Sequence, residues 1–160
     1  GRRKVFQIMI KYVDAFVVFE EIPDKITLAI NISNCQNKCI GCHSPELRCD
    51  IGKELTKKEI DTLISNNYGI NCVLFMGEGG DQRALLDMAL YIKEQYQLLV
   101  AIYSGRDDVE DYFYKIFNYV KIGPYKKEFG PLNSPTTNQK MFECIDGEIF
   151  DITHKFIRKR

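Results

Sequence analysis

Three observations predict an α/β fold for this 160-residue chain. Short apolar runs of strand length alternate with amphipathic segments of helical spacing, about four such units follow one another, and the whole is closed by a hairpin signal at the end. Repeated strand–helix units imply parallel strands joined by right-handed crossovers. Four units are half of what a closed eight-fold barrel needs, so the expectation is an open, partial (β/α) barrel with parallel core strands and terminal β-hairpins. Hydrophobic residues make up 45% of the chain, enough for one core, and no linker or repeat divides it. Residues 1–160 therefore read as a single domain.

The elements follow in order. Val5 to Ile10 and Ala15 to Glu20 read as a first hairpin, and Ile26 to Ile32 as the first core strand, running directly into a cysteine-rich loop. Thr56 followed by Glu59 is a capping-box signature for a helix to about Asn66, with Ile60, Leu63 and Ile64 on one face. Cys72 to Met76 is a short apolar strand that ends in Gly77-Glu78-Gly79-Gly80-Asp81; Leu85, Met88, Ala89, Ile92 and Tyr96 then mark a second helix. Leu98 to Tyr103 is the next strand. Val109, Tyr112, Phe113, Ile116 and Phe117 keep helical spacing, an aromatic stripe read as core, before a strand at Tyr119 to Ile122. Asp146-Gly147 between two apolar runs, Met141 to Ile145 and Glu148 to Ile152, is a two-residue hairpin turn.

Composition narrows the function. Lys plus Arg and Asp plus Glu both total 22, and the basic residues form short clusters without interleaved aromatics, which argues against nucleic-acid binding. Apolar runs fall short of a membrane span, and Gly1 to Ile10 carries no signal-peptide core, so no membrane association and a cytoplasmic location are expected. In a reducing compartment, six cysteines with three crowded into eight residues point to metal or catalytic use; Cys49, Cys72 and Cys144 lie outside that crowd.

The crowded segment is Cys35-x3-Cys39-x2-Cys42-His43, placed directly after a strand. Three thiolates in one short loop can wrap a cube of iron and sulfide, leaving one iron open for a chelating cosubstrate. The competing reading is structural zinc in a noncatalytic interaction module, with His43, Cys49 or His154 as fourth ligand, but the second ligand pair that zinc sites usually show is missing. In α/β sheets ligands gather at the carboxyl ends of the strands. Here those ends are the Cys35 loop, the Gly77 loop, Tyr103-Ser104-Gly105 and Gly123-Pro124.

The cysteine spacing at the end of the first core strand resembles the radical S-adenosylmethionine superfamily. Within it the chain resembles the small activases of anaerobic ribonucleotide reductase. Gly41 precedes the third cysteine as in that group, although Ile40 stands where they carry proline. The likeness runs from about Tyr12 to His154 through Ile30-Asn31-Ile32-Ser33-Asn34, Phe75 to Asp81, Tyr103-Ser104-Gly105-Arg106, Lys121 to Tyr125 and Thr136-Thr137-Asn138-Gln139. It implies a [4Fe-4S] cluster on Cys35, Cys39 and Cys42, these being the catalytic cysteines, and S-adenosyl-L-methionine as cosubstrate. It also implies an electron donor and a glycyl-radical enzyme, anaerobic ribonucleoside-triphosphate reductase, as partners; another radical enzyme acting on a small molecule is the alternative.

By that resemblance Gly77 to Asp81 contacts the methionine end of the cosubstrate, in a register that leaves either Met76-Gly77-Glu78 or Gly79-Gly80-Asp81 as the equivalent. A carboxylate at Glu78 or Asp81 would suit an ammonium group. A nucleotide P-loop is excluded because Gly-Lys-Ser/Thr is missing, and Gln82 stands where a dinucleotide fingerprint has its last glycine. A plain strand-to-helix turn is the simpler reading of the same loop. Ser104 offers a donor and an acceptor at the next strand end, which reads either as pocket lining or as a strand-ending turn; Gly41 and His43 flank Cys42, and His43 reads either as a contact to cosubstrate or cluster or as a solvated loop histidine. Lys121 to Tyr125 and Ser134 to Gln139 are expected near the opening of the barrel.

Overall fold

The computed structural model describes residues 9–33 and 51–157. Cys35, Cys39, Gly41, Cys42, His43 and Cys49 lie outside the described residues. The described chain is mixed α/β: an eight-stranded sheet with three helices, in strand order β3-β1-β2-β4-β5-β6-β7-β8. The strands are β1 (Lys11–Val18), β2 (Thr27–Ile32), β3 (Lys53–Glu54), β4 (Cys72–Met76), β5 (Leu99–Tyr103), β6 (Tyr119–Ile122), β7 (Lys140–Ile145) and β8 (Glu148–Asp151). The helices are α1 (Lys57–Asn66), α2 (Gln82–Tyr96) and α3 (Asp111–Ile116).

The four central strands β2, β4, β5 and β6 are parallel. Their near-continuous apolar runs, such as TLAINI and CVLFM, suit a position buried on both faces. Antiparallel strands flank them on either side, so the sheet as a whole is mixed. The terminal hairpin forms as read, with Asp146 (φ 50°) and Gly147 (φ 80°) supplying the left-handed pair that a tight two-residue turn needs.

Alternation splits the strands into two faces. Leu28, Ile30, Ile32, Val73, Phe75, Val100, Ile102, Val120 and Ile122 share one core with Ile60 of α1, Leu85 and Ile92 of α2, and Phe113 of α3. All three helices thus cover the same face. A second, smaller core on the opposite face joins Ala29, Cys72, Leu74, Ala101, Tyr119 and Met141 to Ile22, Leu132 and Ile152. Those three come from the β1–β2 turn, the long β6–β7 connection and the segment after β8.

Caps set the helix starts. Thr56 accepts from the Glu59 amide at 3.0 Å, but the Glu59 carboxylate does not complete the reciprocal box; it takes the Tyr12 hydroxyl at 2.7 Å and Lys53 at 3.1 Å, tying α1 to β1 and β3. Asp81 caps α2 by accepting from Ala84. Tyr91 and Tyr96 of α2 both donate to Asp61 of α1, at 2.8 and 2.5 Å.

Two differences from the sequence reading have physical causes. Of the expected first hairpin, Val5 to Ile10 with Ala15 to Glu20, residues 5–8 lie outside the described residues; the second arm falls in a strand that already starts at Lys11 and pairs with β2 and β3. Lys11 to Asp14, left between the two expected strands, are themselves strand, with a register shift between Tyr12 and Asp14. The third helix is shorter than its periodic residues: Val109 lies before it and Phe117 is its C-cap.

Candidate functional site at the carboxyl edge of the parallel strands

Because β2, β4, β5 and β6 run parallel, their carboxyl ends lie along one edge. Asn31, Met76, Tyr103 and Lys121 are direct neighbours in the ladder, each the partner of the next. All four belong to the face opposite the helices. Asn31 donates to Asp14 on β1, which pairs with it. The Lys121 ammonium lies 4.0 Å from the centre of the Tyr103 ring, a cation–π contact. Tyr103 donates its hydroxyl to the Glu21 carbonyl at 2.6 Å, and burial pushes its phenol well above the ordinary range.

Just beyond this row the chain leaves each strand through a tight, hydrogen-bonded exit. The Gly77 amide donates to the Tyr103 carbonyl at 3.1 Å, Ser104 to the Lys121 carbonyl at 2.8 Å, and Gly123 to the Arg106 carbonyl at 2.6 Å. Gly77 (φ 114°) and Gly79 (φ 71°) adopt left-handed backbone that only glycine enters freely. A Cβ on Gly79 would stand 3.0 Å from Ile32 Cγ2 and 3.4 Å from Ile10 Cγ2; one on Gly77 would meet the Ile32 carbonyl oxygen at 3.4 Å. The glycine loop therefore rests on the end of β2, beside Ser33, two residues ahead of the first cysteine.

The two carboxylates of that loop have partners within the protein. Asp81 accepts from Ala84 N through Oδ1 and from Met9 N through Oδ2, both at 3.1 Å. Glu78 accepts from Ser104 Oγ at 2.5 Å and from Arg106 Nε and Nη2 at 2.9 and 2.7 Å. Arg106 in turn donates to Glu110 at 3.0 and 2.8 Å, and Gln82 adds a donor to Glu110 at 3.1 Å. The guanidinium sits 5.7 Å over the Phe113 ring, which places this network on the helix side of the edge. Its bonds pull the Glu110 carboxyl down to about 2, and the hydrogen bonds it donates to Glu110 and then Glu78 hold the guanidinium above its usual value. The exposed Gly80 makes the outer bend of the loop.

The structure thus brings Gly77, Glu78, Ser104 and Ser33, the last described residue before the cysteine segment, to one edge. Ser104 is buried at 2% exposure and bridges Glu78 and the Arg106 amide, so its hydroxyl is engaged on both sides. Arg106 and Glu110 carry no role in the sequence reading. Their spacing of four on one stretch of chain was the available signal.

The connection from Gly123 to Gln139 is pinned at its base: Gln139 Nε2 donates to the Gly123 carbonyl at 3.2 Å and Asn138 Nδ2 to that of Pro124 at 3.0 Å. Gly123 (φ 102°) is obligatory here, since a Cβ would lie 3.0 Å from Gln139 Cα. Leu132 from the same connection packs on the face opposite the helices.

Other chemistry is quiet. Burial pushes the Cys72 thiol up to about 12 and that of Cys144 up to about 11, so neither is a ready thiolate. Among the described residues no three acidic, histidine or cysteine side chains come together as a metal cage, and no helix is long and apolar enough to cross a membrane. Compared with known proteins, the chain matches no family model, no curated protein and no solved structure.

Proposed function

We propose that the protein is a radical S-adenosylmethionine activase, holding a [4Fe-4S] cluster on Cys35, Cys39 and Cys42 and producing a glycyl radical on a partner of the anaerobic ribonucleotide reductase type. The observation that carries this reading is positional. The C-x3-C-x2-C segment begins three residues past Ile32, the last residue of the first of four parallel strands, and the glycine loop of the next strand rests on that strand end. The three helices among the described residues lie on one face, which also suits a partial barrel, whose outside is helical and whose inside is strand side chains.

The donor set fits the group. Three thiolates satisfy three irons of a cubane and leave a fourth position, and Ser33, next but one to Cys35, presents a buried hydroxyl with no partner among the described residues. When both are bound, cluster and cosubstrate supply one-electron cleavage of the sulfonium to methionine and a 5′-deoxyadenosyl radical that takes hydrogen from a glycine Cα. The chain's own part is to bind and enclose. Gly77 and Gly79 admit close backbone approach. Asn31, Met76, Tyr103 and Lys121 line the face where the cosubstrate would lie, and Glu78, held by Ser104 and Arg106, keeps the β4 and β5 exits in place. A sheet that does not close leaves room for a glycine-bearing segment of a macromolecule, whose ordering cost is offset by contacts around the edge.

The test is anaerobic: reconstituted protein, reductant, S-adenosylmethionine and candidate glycyl-radical partner, read by electron paramagnetic resonance. A glycyl doublet that vanishes when the partner glycine becomes alanine, and that is lost with Cys35→Ala, Cys39→Ala or Cys42→Ala but kept with Cys49→Ala, is the expected result. Cosubstrate cleavage without a partner radical would move the reading to small-molecule chemistry. Reconstituted protein without iron-thiolate absorption, but with bound zinc, would replace it by the interaction module.

A further inference from the structure

We propose that two copies of this chain pair through β8, joined antiparallel about a two-fold axis with Phe150 facing Phe150, so that their sheets become continuous. β8 is the last strand of the sheet, and among the described residues nothing pairs with its outer side. The Ile152 amide donates to the Met141 carbonyl at 2.8 Å, so by the alternation of an antiparallel ladder Glu148, Phe150 and Ile152 turn their backbone groups toward β7. The amides and carbonyls of Ile149 and Asp151 therefore point outward.

The two ends of the sheet are finished differently. β3, at the other edge, is two residues long and both, Lys53 and Glu54, are charged, which protects an edge from pairing. β8 pairs in unbroken register over four residues, has no lysine, proline or bulge, and leaves Ile149 and Phe150 53% and 45% exposed. The Asp151 carboxylate is turned back to its own chain, taking the Thr153 amide and hydroxyl at 2.9 and 2.6 Å.

A second copy is the occupant because the edge complements itself. Its start is acidic, with Asp146 and Glu148, and the segment after it carries exposed His154 and Lys155, so an antiparallel copy sets each end beside its opposite. Outward groups occur at alternate residues, so the register shifts only in steps of two. Ile149 opposite Asp151 of the second copy bonds all the outward groups and brings the two Phe150 rings to the non-hydrogen-bonded position, where Cα atoms are about 4.5 Å apart. One step either way fails: it sets Asp151 against Asp151, like charges directly opposite, or against Gly147, whose φ of 80° is turn backbone rather than strand. The pairing uses none of the residues assigned to the cosubstrate.

Sedimentation velocity of the full chain over a concentration series, anaerobic and reducing, reads the pairing. The wild type should reach the dimer mass as concentration rises. Ile149→Pro removes an outward amide without touching a bond to β7, and Phe150→Lys sets two ammonium groups opposite each other. Both should remain monomers at concentrations where the wild type is dimeric, with unchanged circular dichroism. Register is read separately: after mild oxidation Phe150→Cys should form a disulfide between copies at position 150, since that Cα separation lies in the disulfide range, whereas Ile149→Cys should not. Peptide mass spectrometry, with the wild type oxidised alongside, identifies the bond. Should one variant not fold, the other and the crosslink decide. A wild type that stays monomeric throughout, or a dimer that the folded variants retain, would overturn the proposal.

Discussion

The two faces of the parallel strands are built from the same backbone and differ in almost every other respect. Toward the helices they present Leu, Ile, Val and Phe, all buried and closed by three helices, with Phe75 and Phe117 edge to face at 6.4 Å. Toward the other side they present Ala29, Ala101, Thr27, Cys72, Asn31, Met76, Tyr103 and Lys121, small or polar in large part and covered by turns and connections. One face maximises apolar burial, worth about 1.5–3 kcal/mol for each large side chain. The other gives up part of that burial and leaves space and polar groups at the carboxyl edge. The difference teaches which positions hold the fold and which are available to a ligand.

The sharpest way to break this contrast is a matched pair on β4. Phe75→Ala should cost about 3–5 kcal/mol, since it empties the centre of the helix-side core, whereas Met76→Leu on the opposite face, nearly volume-conserving, should cost less than about 1.5 kcal/mol. Urea denaturation of both variants measures it, and equal losses would erase the distinction between faces. The junction of the two faces is the glycine loop. Gly79→Ala forces a side chain into left-handed backbone against Ile32 and should cost about 1–2 kcal/mol. Gly80, exposed and absent from the positive-φ glycines, should tolerate alanine; the same melts compare them.

The smallest effect belongs to the ion-pair network at the edge. Arg106 lowers the Glu110 carboxyl from 4.5 to about 2, so its contribution is present above pH 4.5 and is lost as pH falls through that window. The side chains are 36% and 40% exposed, and solvent screening limits the pair to about 0.2–1 kcal/mol. Glu110→Gln should therefore be slightly less stable than the wild type at pH 7, and the two should converge near pH 2 and at high salt. A difference that grows in acid would assign Glu110 some other role.

Much of the architecture was legible because it follows local rules. The apolar run of β4, the capping threonine of α1, the periodic face of α2 and the Asp146-Gly147 turn each declare themselves within a few residues. β3 escaped because two exposed residues, Lys53 and Glu54, have no pattern; only the pairing with Lys11 and Tyr12 makes them a strand. The start of β1 at Lys11 was missed: Tyr12 and Ala15 face the same core across a register shift, so no two-residue alternation marks the strand there. At the site, the glycines were visible as glycines, but the engagement of Asp81 by Met9 and of Glu78 by Arg106 arises from chain segments far apart, and nothing local announces it.

The row formed by Asn31, Met76, Tyr103 and Lys121 also bears on how such a protein diverges. Each residue is the last outward-facing position of a separate strand, and its neighbours along the strand point the opposite way, into the helix-side core. A mutation in the row touches the smaller core and the carboxyl edge while the helix-side packing behind it stays intact. Descendants of this chain can therefore explore new ligand preferences at Asn31 and Met76 one strand at a time, whereas Tyr103 and Lys121, stacked on each other, change together.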